Sequence, residues 1–352
     1  VLFLVYAAVL LFVVPSQQGL QNWLVWCLMP ATAVLVARRT TPATPARVYR
    51  LWLPAALTAA AIYSALALRH GAGYAGNWYS ARGMGWHLLL AMAMVVAFQR
   101  WRAAFLYWPV WALAVVIGST LTRSAGLLAL LSATGLAVLN RAGRLSRARF
   151  LAFLAAMGFV GFYAATRITA IRDRFTEGDA AVQFHGADLN TSGRLKLWSA
   201  TWHAVSEHPW FGHGPGQSQY FIKARFVTIE HPHNEYLRML YDTGWVGAVL
   251  WLVGMLLILR GCWRRMRASS DSLRRATHLA AVLAMLDLLL GSITDNLTVS
   301  PSFALACGTL LGLSLGLPEV RRREAPASEP EWAPAGVPTP LTTRSRDSFS
   351  PG

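Results

Sequence analysis

The sequence predicts an all-α polytopic membrane protein, with about ten transmembrane helices in view and one large external loop between the seventh and eighth. Three observations predict it. Hydrophobic residues make up 55% of the 352 and charged residues only 14%, whereas a soluble chain is about a quarter charged. The apolar residues come in blocks separated by short basic loops. Lys and Arg also alternate in abundance from loop to loop, 19 in the short loops of one side against 3 on the other, and that bias marks the cytoplasmic face.

Each crossing needs about 20 helical residues. The first span, Val1–Val14, is short and begins inside an apolar run without an initiating Met, so the chain reads as starting part-way through a longer protein. Leu20–Ala37 and Leu51–Leu68 follow, divided by a loop carrying Arg38, Arg39, Arg47 and Arg50. Trp86–Phe98 is short and closes on Arg100 and Arg102. Ala103–Leu121 and Ser124–Leu139 meet at a tight external turn holding Arg123. Phe150–Thr166 comes after Arg141, Arg144, Arg147 and Arg149. Thr243–Leu259 and Ala276–Ile293 enclose the six-Arg loop 260–275, and Pro301–Leu317 precedes Arg321–Arg323. Both termini fall inside; Arg69, Arg82 and Arg123 are the three basic residues of the short external loops.

The net charge of +16 is therefore a topology signal with lipid headgroups as its counter-charge, and nucleic acid is not a partner. Three Cys (Cys27, Cys262 and Cys307) make no disulfide scaffold and no metal knuckle. Residues 1–323 form the membrane domain; 324–352, rich in Pro, Ser, Thr and Ala, read as a disordered cytoplasmic tail.

The loop 167–238 gathers six of the nine His, and a loop of this length is usually functional. Within it Arg194 opens a short helix, Arg194–Glu207, with Ser192 as its N-cap. Next comes the turn His208-Pro-Trp-Phe-Gly-His-Gly-Pro-Gly216, either a plain turn or a backbone cradle for phosphate at Gly212 and Gly214. Last comes His231-Pro-His-Asn234, leading into the eighth span. A His there, with Asn234 beside it, suits general-base work on a hydroxyl. His231 should be held in the loop by Pro232, and His233 should lie in or next to the first helical turn. No His pair has the i, i+4 spacing of a helical metal site and the loop has no Cys, so no metal is expected. Arg123 is either a side chain snorkelling to the interface or a fixed cation for an anionic substrate. Asp287 lies mid-span and Asp295 at the external end of the same span, near the depth of Arg123, so a shared external cavity is expected.

The stretch His233-Asn234, nine residues, Gly244, two residues, Gly247, followed by an apolar span, resembles the signature of the O-antigen ligase family, which shares a domain with O-antigen polymerases. Pro209-Trp-Phe-Gly-His-Gly214 resembles that family's Pro-x-x-Gly-x-Gly turn. Arg194-x-x-x-Trp198 resembles its basic residue ahead of the turn, and Thr120-Leu-Thr-Arg-Ser124 its Ser-Arg turn between spans, here with Thr122 before Arg123. Family members often have about twelve spans, so the resemblance leads to the expectation of further spans ahead of the ten in view.

The resemblance implies a glycosyltransferase of the bacterial inner membrane with its site facing the periplasm. It would move a glycan from a polyprenyl (undecaprenyl) diphosphate carrier to an acceptor sugar such as lipid A–core. No cofactor is implied, because the donor bond is already activated. His233 would be the base, Arg123 and Arg194 would hold the diphosphate, Asp295 would orient an Arg or the acceptor, and Asn234, Gly212 and Gly214 would support them. A polymerase using the same donor is the alternative within the class. A transporter is the alternative outside it; Asp287 and Arg123 speak for it. Against it, the polar residues gather in one loop and no paired broken spans occur.

Overall fold

The computed structural model describes residues 1–74, 76, 80–102, 108–139, 180–184, 187–190, 193–226 and 229–318. The chain opens with α1 (Leu2–Val13), α2 (Gln17–Arg39), α3 (Thr44–His70), α4 (Ala81–Arg102), α5 (Trp108–Ser119) and α6 (Arg123–Leu139). A hairpin of β1 (Ala180–Phe184) and β2 (Ala187–Asn190) and the short helices α7 (Arg194–Val205) and α8 (Gln217–Arg225) come next. The chain then runs through α9 (Glu235–Ala268), α10 (Ser272–Gly291), a 3-10 turn at Leu297–Val299 and α11 (Pro301–Gly316). The hairpin pairs antiparallel, with Phe184 opposite Ala187, and is a small departure from the expected all-helical chain.

Nine of the predicted spans fall on helices; the seventh, Phe150–Thr166, lies outside the described residues, as does the tail 324–352. Four helices are long and apolar enough to cross a membrane among the described residues: Gln17–Arg39, Thr44–His70, Ala81–Gln99 and Glu235–Ala268. The helices outrun the apolar blocks because polar caps lie beyond them. Ser16 Oγ accepts from Gly19 N–H (2.9 Å), Asn234 Oδ1 from Leu237 N–H (3.1 Å) and Asp271 Oδ1 from Leu273 N–H (2.9 Å).

The fourth span, short by apolar count, is the centre of the packing. Leu88 to Phe98 are buried without a break, as expected of a helix that is apolar all round. Helices α3, α5, α6, α10 and α11 pack on α4. Elsewhere α11 lies along α2 through a small-residue stripe. A Cβ added at Gly308 would stand 2.6 Å from the Met29 carbonyl oxygen, and one at Gly312 2.7 Å from that of Ala33. Lipid tails are as apolar as Leu, so close backbone approach of this kind holds membrane helices together. Finally, α9 is two helical pieces joined at Gly244, whose φ of 62° and ψ of −174° are not helical.

Candidate functional site

Three helices start at one place, and each carries an arginine as its first or second residue. Ser80 Oγ caps α4 by accepting from Gly83 N–H at 2.9 Å, and Arg82 is the helix's second residue. Arg123 is the first residue of α6, after a turn in which Leu121 takes the left-handed φ of 56° and Gly73 N–H donates to Ser119 O at 2.9 Å. Arg194 is the first residue of α7, which follows Gly193 at φ 74°. The three arginines line one cavity of about 310 Å³ together with Ser80, Thr122 and Asp295. Helix N-termini carry partial positive charge and unsatisfied N–H groups. The cavity thus combines three guanidinium groups with three positive helix ends.

Asp295, in the link after α10, is the carboxylate of that cavity. Trp86 Nε1–H donates to its Oδ2 at 2.8 Å and Asn296 N–H to its Oδ1 at 2.9 Å. Arg82 Nε lies 3.6 Å from Oδ2, and His233 Nδ1 3.6 Å from Oδ1. Burial works to raise the Asp295 carboxyl, but His233, the Arg82 charge and the Trp86 and Asn296 donors outweigh it and hold it down to about 2. Arg82 Nη1 also lies 3.1 Å from His233 Nδ1. His233 itself has a left-handed φ of 51°, strain of the sort that surrounding structure must enforce.

Its neighbours enforce it. Asn234 caps α9, so His233 sits just outside the first turn, as its spacing predicts. Trp198 Nε1–H, one turn past Arg194, donates to Pro232 O at 2.9 Å. The Arg-x-x-x-Trp and His-Pro-His-Asn segments are therefore one unit: the Trp fastens α7 to the loop bearing His233. His231 points elsewhere. Burial, then the Arg238 and His233 charges, push it down to about 4, and its Nε2 lies 3.3 Å from Gln219 Nε2.

Beneath the site lies a charged trio that the sequence reading did not single out. Glu235, Arg238 and Asp242 lie on one face of α9 and are wholly buried. Arg238 pairs with Glu235, lies 3.8 Å from Asp242 and donates to Thr298 Oγ1 at 3.0 Å. Asn296 Nδ2–H donates to Glu235 Oε2 at 3.2 Å, which ties the trio to the residue after Asp295. The signal was there: acidic, basic and acidic residues at i, i+3 and i+7 ahead of an apolar helix.

The glycine-rich turn does not present its amides to a ligand. Gly212 N–H donates to His208 O (3.0 Å), His213 N–H to Tyr241 O (2.9 Å) and Gly214 N–H to Asp242 O (3.0 Å). Gly216 and Ser218 N–H donate to the Asp242 carboxylate at 3.1 and 2.8 Å. The phosphate-cradle reading of Gly212 and Gly214 gives way to a plainer one: the turn brackets the Gly244 kink. Gly212 has φ 72°, and a Cβ there would stand 2.5 Å from the Gly244 amide nitrogen. Gly212→Ala should therefore lose most of its folded yield, read as the monodisperse peak in detergent by size-exclusion chromatography. Gly193→Ala, left-handed but with open space around its Cβ, should lose far less.

Of the expected site residues, Arg123, Arg194 and Asp295 line the cavity and His233 lies against Asp295; Arg82 joins them. Arg82 was legible as one of three short-loop arginines against the charge bias. Ser192 lies outside the described residues, and Gly193 stands as N-cap of α7, without a side-chain bond. Asp287 is buried within α10 and does not line the cavity. Among the described residues no group of three His, Cys, Asp or Glu could hold a metal ion.

Residues 108–252 match the family model described as O-antigen ligase. The chain is also similar to an O-antigen ligase of Pseudomonas aeruginosa, 31% identical over 93 residues, which is 26% of this chain and 23% of that protein. The match thus spans about a quarter of the relative's length. Arg123, Arg194, the glycine turn and His233-Asn234 lie within residues 108–252; Arg82 and Asp295 do not. The resemblance to the O-antigen ligase family is established over that stretch, and with the apolar helices it makes the chain a multi-pass membrane protein.

Proposed function

We propose, from a chain whose residues 108–252 match the O-antigen ligase family, that it transfers a glycan from a polyprenyl diphosphate to an acceptor sugar such as lipid A–core. The transfer would take place on the periplasmic side of the bacterial inner membrane. The observation that carries the reading is the convergence of Arg82, Arg123 and Arg194, each at the start of its helix, on one cavity. A lipid diphosphate is the leaving group, and guanidinium forks match phosphate oxygens two at a time. Helix N-termini add to that field, so charge developing on the leaving group is met by a site already oriented for it.

His233 is the base. A guanidinium only donates, so while Arg82 engages His233 Nδ1 the imidazole carries its proton on Nε2 and takes up none there. With Nδ1–H turned to Asp295, Nε2 is free to accept the acceptor hydroxyl's proton. A diphosphate that draws Arg82 towards itself favours the second arrangement. The prenyl chain has a place beside the site, in an apolar groove of about 360 Å³ lined by Trp26, Met29, Trp251, Leu288 and Phe303. The link Asp295–Thr298 is a shared wall: Asp295 faces the cavity, Leu297 and Thr298 the groove.

Complementation of a ligase-null strain tests the reading. Restored high-molecular-weight lipopolysaccharide bands support it, and chain growth on the lipid carrier alone would point to a polymerase. Transfer should persist in EDTA, since the charge on the leaving group is met by arginines; activity lost in chelator and restored by one divalent ion would refute that.

A further inference from the structure

The exposed side chains of α9 form a stripe. Trp245, Val249, Val253, Leu256 and Leu257 are 43–61% exposed, and residues three or four apart share a helix face. Trp263, 47% exposed, continues that face between the exposed Arg260 and Arg264. From Trp245 to Trp263 the helix rises about 27 Å at 1.5 Å per residue, against a hydrocarbon core of about 30 Å. Trp residues at both ends of an apolar stripe mark the two membrane–water boundaries. Trp245 therefore stands at one boundary.

The corner Pro209-Trp-Phe-Gly212 is fastened at that level. Trp245 N–H donates to Pro209 O at 2.8 Å and Val246 N–H to Trp210 O at 3.2 Å. The side chains of Trp210 and Phe211 turn outward, 65% and 62% exposed. Two adjoining aromatic side chains left in water forgo the gain of taking their apolar surface out of it. Their backbone is held at Trp245, the first residue of the exposed apolar stripe of α9.

We propose that Trp210 and Phe211 are an interfacial lipid anchor, inserted at the headgroup–acyl boundary of the leaflet at the Trp245 end of α9. The rest of the turn is bonded to Tyr241 and Asp242. The anchor therefore sets the height of the loop that leads through α8 to His231 and His233. It does not depend on the reaction proposed for the cavity.

The test is nitroxide accessibility in nanodiscs of phosphatidylethanolamine and phosphatidylglycerol. Cys27, Cys262 and Cys307 are replaced by Ala, and a single label is placed by Trp210→Cys or Phe211→Cys. Val249→Cys serves as the lipid reference and Lys223→Cys, at an exposed side chain, as the water reference. The ratio of oxygen to nickel-chelate collisions at 210 and 211 should be several-fold that at 223 and approach that at 249. A label at 211 as open to the chelate as that at 223 would overturn the anchor, and so would one shielded from both probes, which would mean cover by protein. Should a Cys disturb the corner, Trp210→Phe gives a second reading with lipids brominated near the headgroup. It should remove emission that these lipids quench; removing only unquenched emission would overturn the anchor as well.

Discussion

His233→Asn is expected to lower glycan transfer by about 10²–10⁴-fold, the usual value of a general base, with protein level and membrane insertion unchanged. Asn keeps a polar side chain at a left-handed position it tolerates well, so the backbone at φ 51° is not the casualty. What is lost is the Nε2 that takes up a proton, on a ring whose Nδ1 lies 3.6 Å from the Asp295 carboxylate that would orient it. His231→Asn should be milder, because His231 contacts Gln219, whereas His233 lies against Arg82 and Asp295. Initial rates with purified variants separate the two. Near wild-type transfer by the His233 variant alongside a silent His231 variant would put the base at the wrong His. Two active variants would remove the base altogether and leave His233 as a strained residue ahead of the Asn234 cap of α9.

Arg238→Met is expected to cost about 3–5 kcal/mol of stability, the range for removing one partner of a buried charge network. Glu235 and Asp242 would be left inside the chain without their cation, and both are wholly buried. The effect should appear as a large fall in the thermal midpoint in detergent, or as loss of the folded peak. The double variant Glu235→Gln/Arg238→Met removes the attraction and much of the uncompensated charge together, so it should recover part of the loss. A single variant melting like the wild type would show that the trio bears little of the fold.

The helices were legible because apolar blocks and basic loops are set by the bilayer itself, a one-dimensional constraint that a sequence displays directly. Their ends were less so: Ser16, Asn234 and Asp271 extend helices into polar sequence that a hydropathy count discards. The central place of α4 was hidden for a related reason, since span length says nothing about how many neighbours surround a helix. In the site, Arg123, Arg194, Asp295 and His233 were legible as polar groups with unusual placement. Arg82 was missed because its partners, Asp295 and His233, lie more than 150 residues away in the chain. The glycine turn leaves two readings open in the sequence, a plain turn or a ligand cradle, because which groups take up its amides is a tertiary fact: here Tyr241 and Asp242 do.

The most direct measurement is transfer by the purified chain in lipid vesicles, given a polyprenyl diphosphate-linked glycan and lipid A–core and no added metal or nucleotide. The cavity of three arginines beside His233 predicts glycosylated lipid A–core and free polyprenyl diphosphate appearing in equal amounts. A carrier that stays loaded, or a glycan that lengthens on its carrier while lipid A–core stays bare, would contradict it.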